Sequence, residues 1–95
     1  MIMTILEANV SQDKSQILIY AFRQQIAAIP PEIVHTYLAH DSKNPAIWRI
    51  ITVWKSKEAL GEMRKQGTPA GVMMFRQVNS EPTLSLYEIV ESSSK

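Results

Sequence analysis

Apolar and polar positions follow a strand-like pattern most clearly at Ile47–Trp54, where the residues are almost all β-branched or aromatic. Side chains alternate between the two faces of a strand, so Trp48, Ile50, Thr52 and Trp54 share one face and Ile47, Arg49, Ile51 and Val53 the other. Both faces are largely apolar, which predicts a strand in the middle of a sheet with cover on both sides. Lys55 and Ser56 follow without a spacer, and the Ser56 side chain is placed to cap a helix over 56–66 that buries Ala59, Leu60 and Met63. Gly67 can take the left-handed conformation that ends it.

The rest of the chain supplies partners for this unit. Residues 2–10 alternate Ile2, Leu6, Ala8 and Val10 against Met3, Ile5, Glu7 and Asn9, a first strand. Ser11 is a candidate N-cap, and Leu18, Ala21, Phe22, Gln25, Ile26 and Ile29 fall along one side of a helix running to about residue 28. Pro30 and Pro31 stop it, since proline has no N–H to donate and restricts the residue before it. A second strand is predicted over 32–40, and the turn residues at 41–45 make it a hairpin with Ile47–Trp54. Thr68 and Pro69 restart a helix whose apolar side is Ala70, Met74, Phe75 and Val78, and residues 83–90 alternate as a last strand.

The order β-α-β-β-α-α-β predicts an α+β, ferredoxin-like split βαβ fold, in which the fourth strand lies beside the first, the first beside the third and the third beside the second. Helices then cover one face only. The other face is apolar as well, and a 95-residue chain has no second layer to spare, so a second copy is expected to cover it in a homodimer. One domain over 1–91 with a disordered tail at 92–95 is expected.

Composition narrows the chemistry. Ten Lys and Arg against nine Asp and Glu leave no basic excess for nucleic acid. The absence of cysteine excludes disulfides and thiolate chemistry and fits a reducing compartment, and with no cleavage signature in residues 1–10 and no apolar run long enough to span a bilayer, a cytoplasmic protein with no membrane association is expected. His35 and His40 stand five positions apart in one strand, on opposite faces, and cannot share a metal. The three glycines make no phosphate loop. Glu7 and Glu88, on neighbouring strands, are a candidate carboxylate pair, with solvent or a dimer partner as the plainer alternatives.

The initial run ILEAN, the strand-helix junction TVWKSKEAL and the element order resemble the antibiotic biosynthesis monooxygenase (ABM) family of dimeric α/β-barrel proteins over nearly the full chain. The junction is the most specific of these features, and it is structural before it is catalytic. The resemblance implies a pocket between sheet and helices in each subunit of a homodimer. It also implies a range of activities, from cofactor-independent oxygenases of polycyclic aromatic compounds and haem-degrading oxygenases to small-molecule isomerases. The haem-degrading pattern has an Asn at the end of the first strand, a Trp in the helix after WKS and an iron-ligating His on the next helix. Asn9 fits the first position, but Met63 and Met73 stand where the Trp and His would be, which favours a haem-free reading with no cofactor and no metal.

Asn9 is therefore the candidate catalytic residue, a strand-end amide able to donate to a ligand oxygen, with strand-end capping as its structural alternative. Phe22, Tyr37, Trp48, Met63 and Met73 are candidate substrate-binding residues, although Phe22, Met63 and Met73 read first as core and Trp48 as interface packing. Asn9 is expected near Trp48 and Arg49, with Tyr37 approaching the same end. Two functions follow. One is a cofactor-independent monooxygenase that binds a small, apolar, phenolic or quinol-like substrate, deprotonates it and lets the anion react with O2. The other is a small-molecule-binding or accessory homodimer without chemistry.

Overall fold

The central strand sits where the alternation places it. In this computed structural model, which describes residues 1–94, β3 (Ile47–Trp54) pairs with β1 (Ile2–Asn9) on one side and with β2 (Ile33–His40) on the other. The edge strand β4 (Thr83–Glu88) pairs with β1, giving an all-antiparallel sheet in the order β2-β3-β1-β4. The fold is α+β and ferredoxin-like, and among the described residues no helix is long and apolar enough to cross a membrane. Lys95, the last residue of the expected tail at 92–95, lies outside the described residues.

The register decides which side chains meet the helices. Ala8, Leu6, Thr4 and Ile2 of β1 stand opposite Trp48, Ile50, Thr52 and Trp54 of β3, and this face lies under α1 (Ser15–Ile26), α2 (Lys57–Lys65) and α3 (Ala70–Arg76). Phe75, Leu18 and Val10 are the largest fully buried side chains, in a cluster with Trp48, Ile50 and Met74. Leu60 of α2 closes a second cluster with Ile2 and Trp54, and Met63 packs against it. Two threonines are buried in this layer, and their hydroxyls are used: the Trp54 indole Nε1 donates to Thr4 Oγ1 at 3.0 Å, and the Thr36 and Thr52 hydroxyls are 3.0 Å apart. Gly71 lets α3 lie directly on the sheet, since a Cβ there would stand 2.7 Å from Leu6 Cδ1.

The opposite face carries no helix. Met3, Ile5, Ile47, Ile51 and Val53 are half-buried on it, and Arg49 Nε donates to Glu7 Oε1 at 2.7 Å in their midst. This pairing replaces the carboxylate pair considered from the sequence. Glu7 stands opposite Thr83 and Glu88 opposite Ile2, so the two carboxylates point to different faces.

Helix entries follow the sequence unevenly. Ser56 Oγ accepts from the Ala59 N–H at 3.0 Å as expected, and Gly67 has φ +119°. Ser11 makes no side-chain cap. A 3₁₀ turn at Gln12–Lys14 precedes α1 instead, and Ser15 Oγ donates to the Gln12 carbonyl. Thr68 does not cap α3 because Pro69 itself occupies the N-cap position. Ile26 and Ile29 are exposed, not buried, and the packed side of α1 is Leu18, Ile19, Ala21 and Phe22. β4 stops at Glu88 because β1 begins at Ile2, which leaves only Met1 O to accept from the Ile89 N–H.

Candidate functional site

The hairpin between β2 and β3 shapes one end of the sheet. Asp41 Oδ1 accepts from the N–H groups of Lys43 and Asn44 at 2.8 and 3.0 Å, and Asn44 Oδ1 accepts from the Ala46 N–H at 3.3 Å. The Val10 N–H donates to the Ala46 carbonyl at 2.8 Å and ties the loop to the end of β1. Those two backbone hydrogen bonds from Lys43 and Asn44 hold the Asp41 carboxyl below its usual 3.8 against an opposing desolvation, and the charges of Arg49 and His40 add to the lowering.

Flanking this loop, His40 and Trp48 are register partners on the helix face, with ring centroids 5.0 Å apart and planes at 56°. Gln12, Ser15, Gln16 and Ile19 approach from the 3₁₀ turn and α1. With Val10 and the loop they enclose a cleft of about 440 Å³, within the ~300–1,000 Å³ typical of small-molecule sites. Trp48 forms a flat buried wall, the rim is amide and hydroxyl, and no Lys, Arg, Asp or Glu lines it. A planar ligand that enters uncharged, with a few polar substituents, suits such a lining, because His40 is the one lining side chain able to carry a charge. A second cleft of about 160 Å³ lies between α1 and α3, lined by Tyr20, Gln24, Met73, Met74 and Gln77 among others. Among the described residues no three His, Cys, Asp or Glu side chains gather to hold a metal.

No family model matches the sequence, and no curated protein does at a significant level. Solved structures do. A cofactor-independent oxygenase from Streptomyces nogalater, SnoaB, superposes with a TM-score of 0.72 at 15% identity over 99% of this chain and 97% of its own. An antibiotic biosynthesis monooxygenase matches with a TM-score of 0.71 at 18% identity, over 96% of this chain and all of its own. A mutant of MhuD with two manganese protoporphyrin IX molecules per active site matches with a TM-score of 0.75 at 15% identity over the full length of both. The chain has the ABM fold.

On this ABM fold the sequence-derived candidates separate. Trp48 lines the larger cleft and Met73 the smaller. Phe22 packs against the main core and Met63 against the second cluster. Asn9 pairs with Ile47 and Tyr37 with Ile51, so alternation sets both on the helix-free face, across the sheet from Trp48. Asn9 adjoins Trp48 in register but not on the same surface, and Ser80 Oγ donates to its backbone carbonyl. Sequence reasoning passed over His40, Asn44, Gln12 and Gln16. The signal was present for His40: it and Trp48 flank the turn residues at 41–45, so a hairpin closed there sets them side by side on one face.

Proposed function

We propose that this protein is a homodimeric monooxygenase of the cofactor-independent kind, acting on a small, electron-rich phenolic or quinol-like substrate bound against Trp48. The cleft at the hairpin end carries this reading: it has ligand size, one indole wall and an uncharged polar rim. The structural likeness to SnoaB, a cofactor-independent oxygenase, supports it. The chain's part is to hold the substrate ring on Trp48 and Ile19, to keep the reacting oxygen beside amide donors of Gln12, Gln16 or Asn44, and to limit water. The substrate anion then donates its electrons to O2.

Haem fits the α1–α3 cleft poorly. The α1–α3 cleft, at about 160 Å³, falls short of the ~300 Å³ at the lower end of ligand pockets, and no histidine lines it. Met63 packs in the core, and His35 and His40 belong to β2. The homodimer rests on the helix-free face, where half-buried Met3, Ile5, Ile51 and Val53 surround one ion pair. Asn9 and Tyr37 stand on that face and are assigned to the partner contact instead of the substrate. A cysteine-free composition fits action in the cytoplasm.

The test is turnover of a panel of anthrone-like and quinol substrates under O2, run beside a thermal-shift screen of the same compounds. Oxygen-dependent product from at least one compound is expected. Saturable stabilisation without product from any of them would instead identify an accessory binding dimer.

A further inference from the structure

We propose that His40 is the proton acceptor of the cleft, taking the hydroxyl proton of a bound phenol or enol on Nε2. The inference rests on the monooxygenase reading and adds to it the residue that generates the reactive anion. His40 Nδ1 lies 3.3 Å from the Asp41 carbonyl oxygen. A carbonyl can only accept, so this contact is a hydrogen bond when Nδ1 carries the proton, and in the neutral ring the lone pair is then on Nε2. The tautomer that a base needs is the one the loop selects.

A carboxylate held by the loop stands next to this ring in the chain. The Asp41 carboxylate lies close enough to His40 for their charges to interact. It is kept ionised by the Lys43 and Asn44 N–H groups, and Arg49 Nη1 reaches it at 3.9 Å. An imidazolium at His40 would therefore sit beside a negative charge that the loop holds in place. Gln12, Ser15, Gln16 and Ile19 from the helical side, Val10 from β1 and Trp48 from β3 bring no titratable group to the cleft. Of the residues that line the cleft, His40 alone carries a ring nitrogen with a free lone pair. Trp48, 5.0 Å from it and tilted, offers the surface on which a flat ring places its hydroxyl toward the imidazole.

In the step, the substrate O–H bond breaks, its proton goes to Nε2 and its electron pair stays on oxygen as the phenolate or enolate. For an anthrone-like compound the conjugated carbon of that anion bonds to O2, and the imidazolium returns the proton to the new peroxide. Loss of water then leaves a ketone: one CH2 and one O2 become one C=O and one H2O.

The experiment uses a hydroxyanthraquinone dye whose absorbance changes on ionisation, titrated with the full-length protein at a pH where the free dye is neutral. Wild type is expected to bind it as the anion. His40→Gln, an exposed position at a strand end, is expected to bind it as the neutral dye with an affinity within a few-fold. Its turnover should fall by about 10²-fold or more, the usual contribution of a general base. Gln16→Trp, made on an exposed residue of α1 so that the fold is kept, fills the cleft and should abolish binding. An anionic spectrum retained by His40→Gln, or a neutral dye on wild type, overturns the role of His40 and leaves the cleft standing. Binding unaffected by Gln16→Trp, or no binding to wild type, overturns the cleft itself and with it the monooxygenase reading.

Discussion

The hydrogen bond from the Trp54 indole to Thr4 Oγ1 crosses from β3 to β1 within the buried layer, and its loss should be strongly non-additive. Both residues are under a tenth exposed, at 9% and 7%, so neither polar atom has water as a substitute partner. Thr4→Val keeps the shape and the strand preference but removes the acceptor, and an unpaired indole N–H in that position costs about 1–3 kcal/mol. Trp54→Phe removes the donor and part of the ring, so it costs packing in the cluster with Ile2 and Leu60 as well. In the Trp54→Phe background, Thr4→Val then has no donor to orphan and should be close to neutral. The expected coupling is therefore about 1–3 kcal/mol. At about 4–8 °C per kcal/mol for a domain of this size, Thr4→Val should lower Tm by roughly 4–24 °C alone and by a few degrees at most in the second background. Thermal melts of the four proteins at one fixed protein concentration measure it, since dimer stability depends on concentration. Equal cost of Thr4→Val in both backgrounds would show that the hydrogen bond does not carry the stability assigned to it.

Light scattering in dilute solution should give about twice the 10.8 kDa chain mass, and a persistent single-chain mass would remove the interface on the helix-free face. Haem added in an absorbance titration should show no stoichiometric, His-ligated spectrum, and its appearance would point to the hairpin cleft, which His40 lines, as a haem site. Gly71→Val should destabilise by about 1–3 kcal/mol in denaturant melts because its side chain would meet Leu6 and Ile50, and Leu6→Ala should recover part of that loss. The Asp41 carboxyl, held below 3.8 in the folded chain, stabilises above its unfolded value, and that contribution is lost as pH falls through the folded one. An NMR titration finding Asp41 at or above the unfolded value would contradict the turn that holds the loop.

Much of the fold was legible because β3 is self-describing: eight apolar or β-branched positions with a Ser cap directly after them leave one reading, and both ends of the strand fall where expected. Helix starts were less legible. Ser11 and Thr68 have the right chemistry, but a 3₁₀ turn and a proline took the cap positions, choices made by the tertiary path of the entering chain. The site was legible only at Trp48. Asn9 is one residue from the buried row of β1, and one residue is enough to move a side chain across the sheet. The amides of Gln12, Gln16 and Asn44 carry no periodic signal, and only the meeting of the hairpin loop with the start of α1 gives them a common purpose.

The loop that walls the cleft is almost self-contained. Its shape comes from Asp41 and Asn44 side chains bonding their own backbone, and Val10 N–H to Ala46 O is its backbone tie to β1. Residues 42–45 could therefore be exchanged or lengthened at little cost to the strands that it joins, as is usual for surface loops on a rigid sheet. The loop side of the cleft can thus be reworked without disturbing the fold, whereas its Trp48 wall belongs to the core and stays fixed while the loop changes.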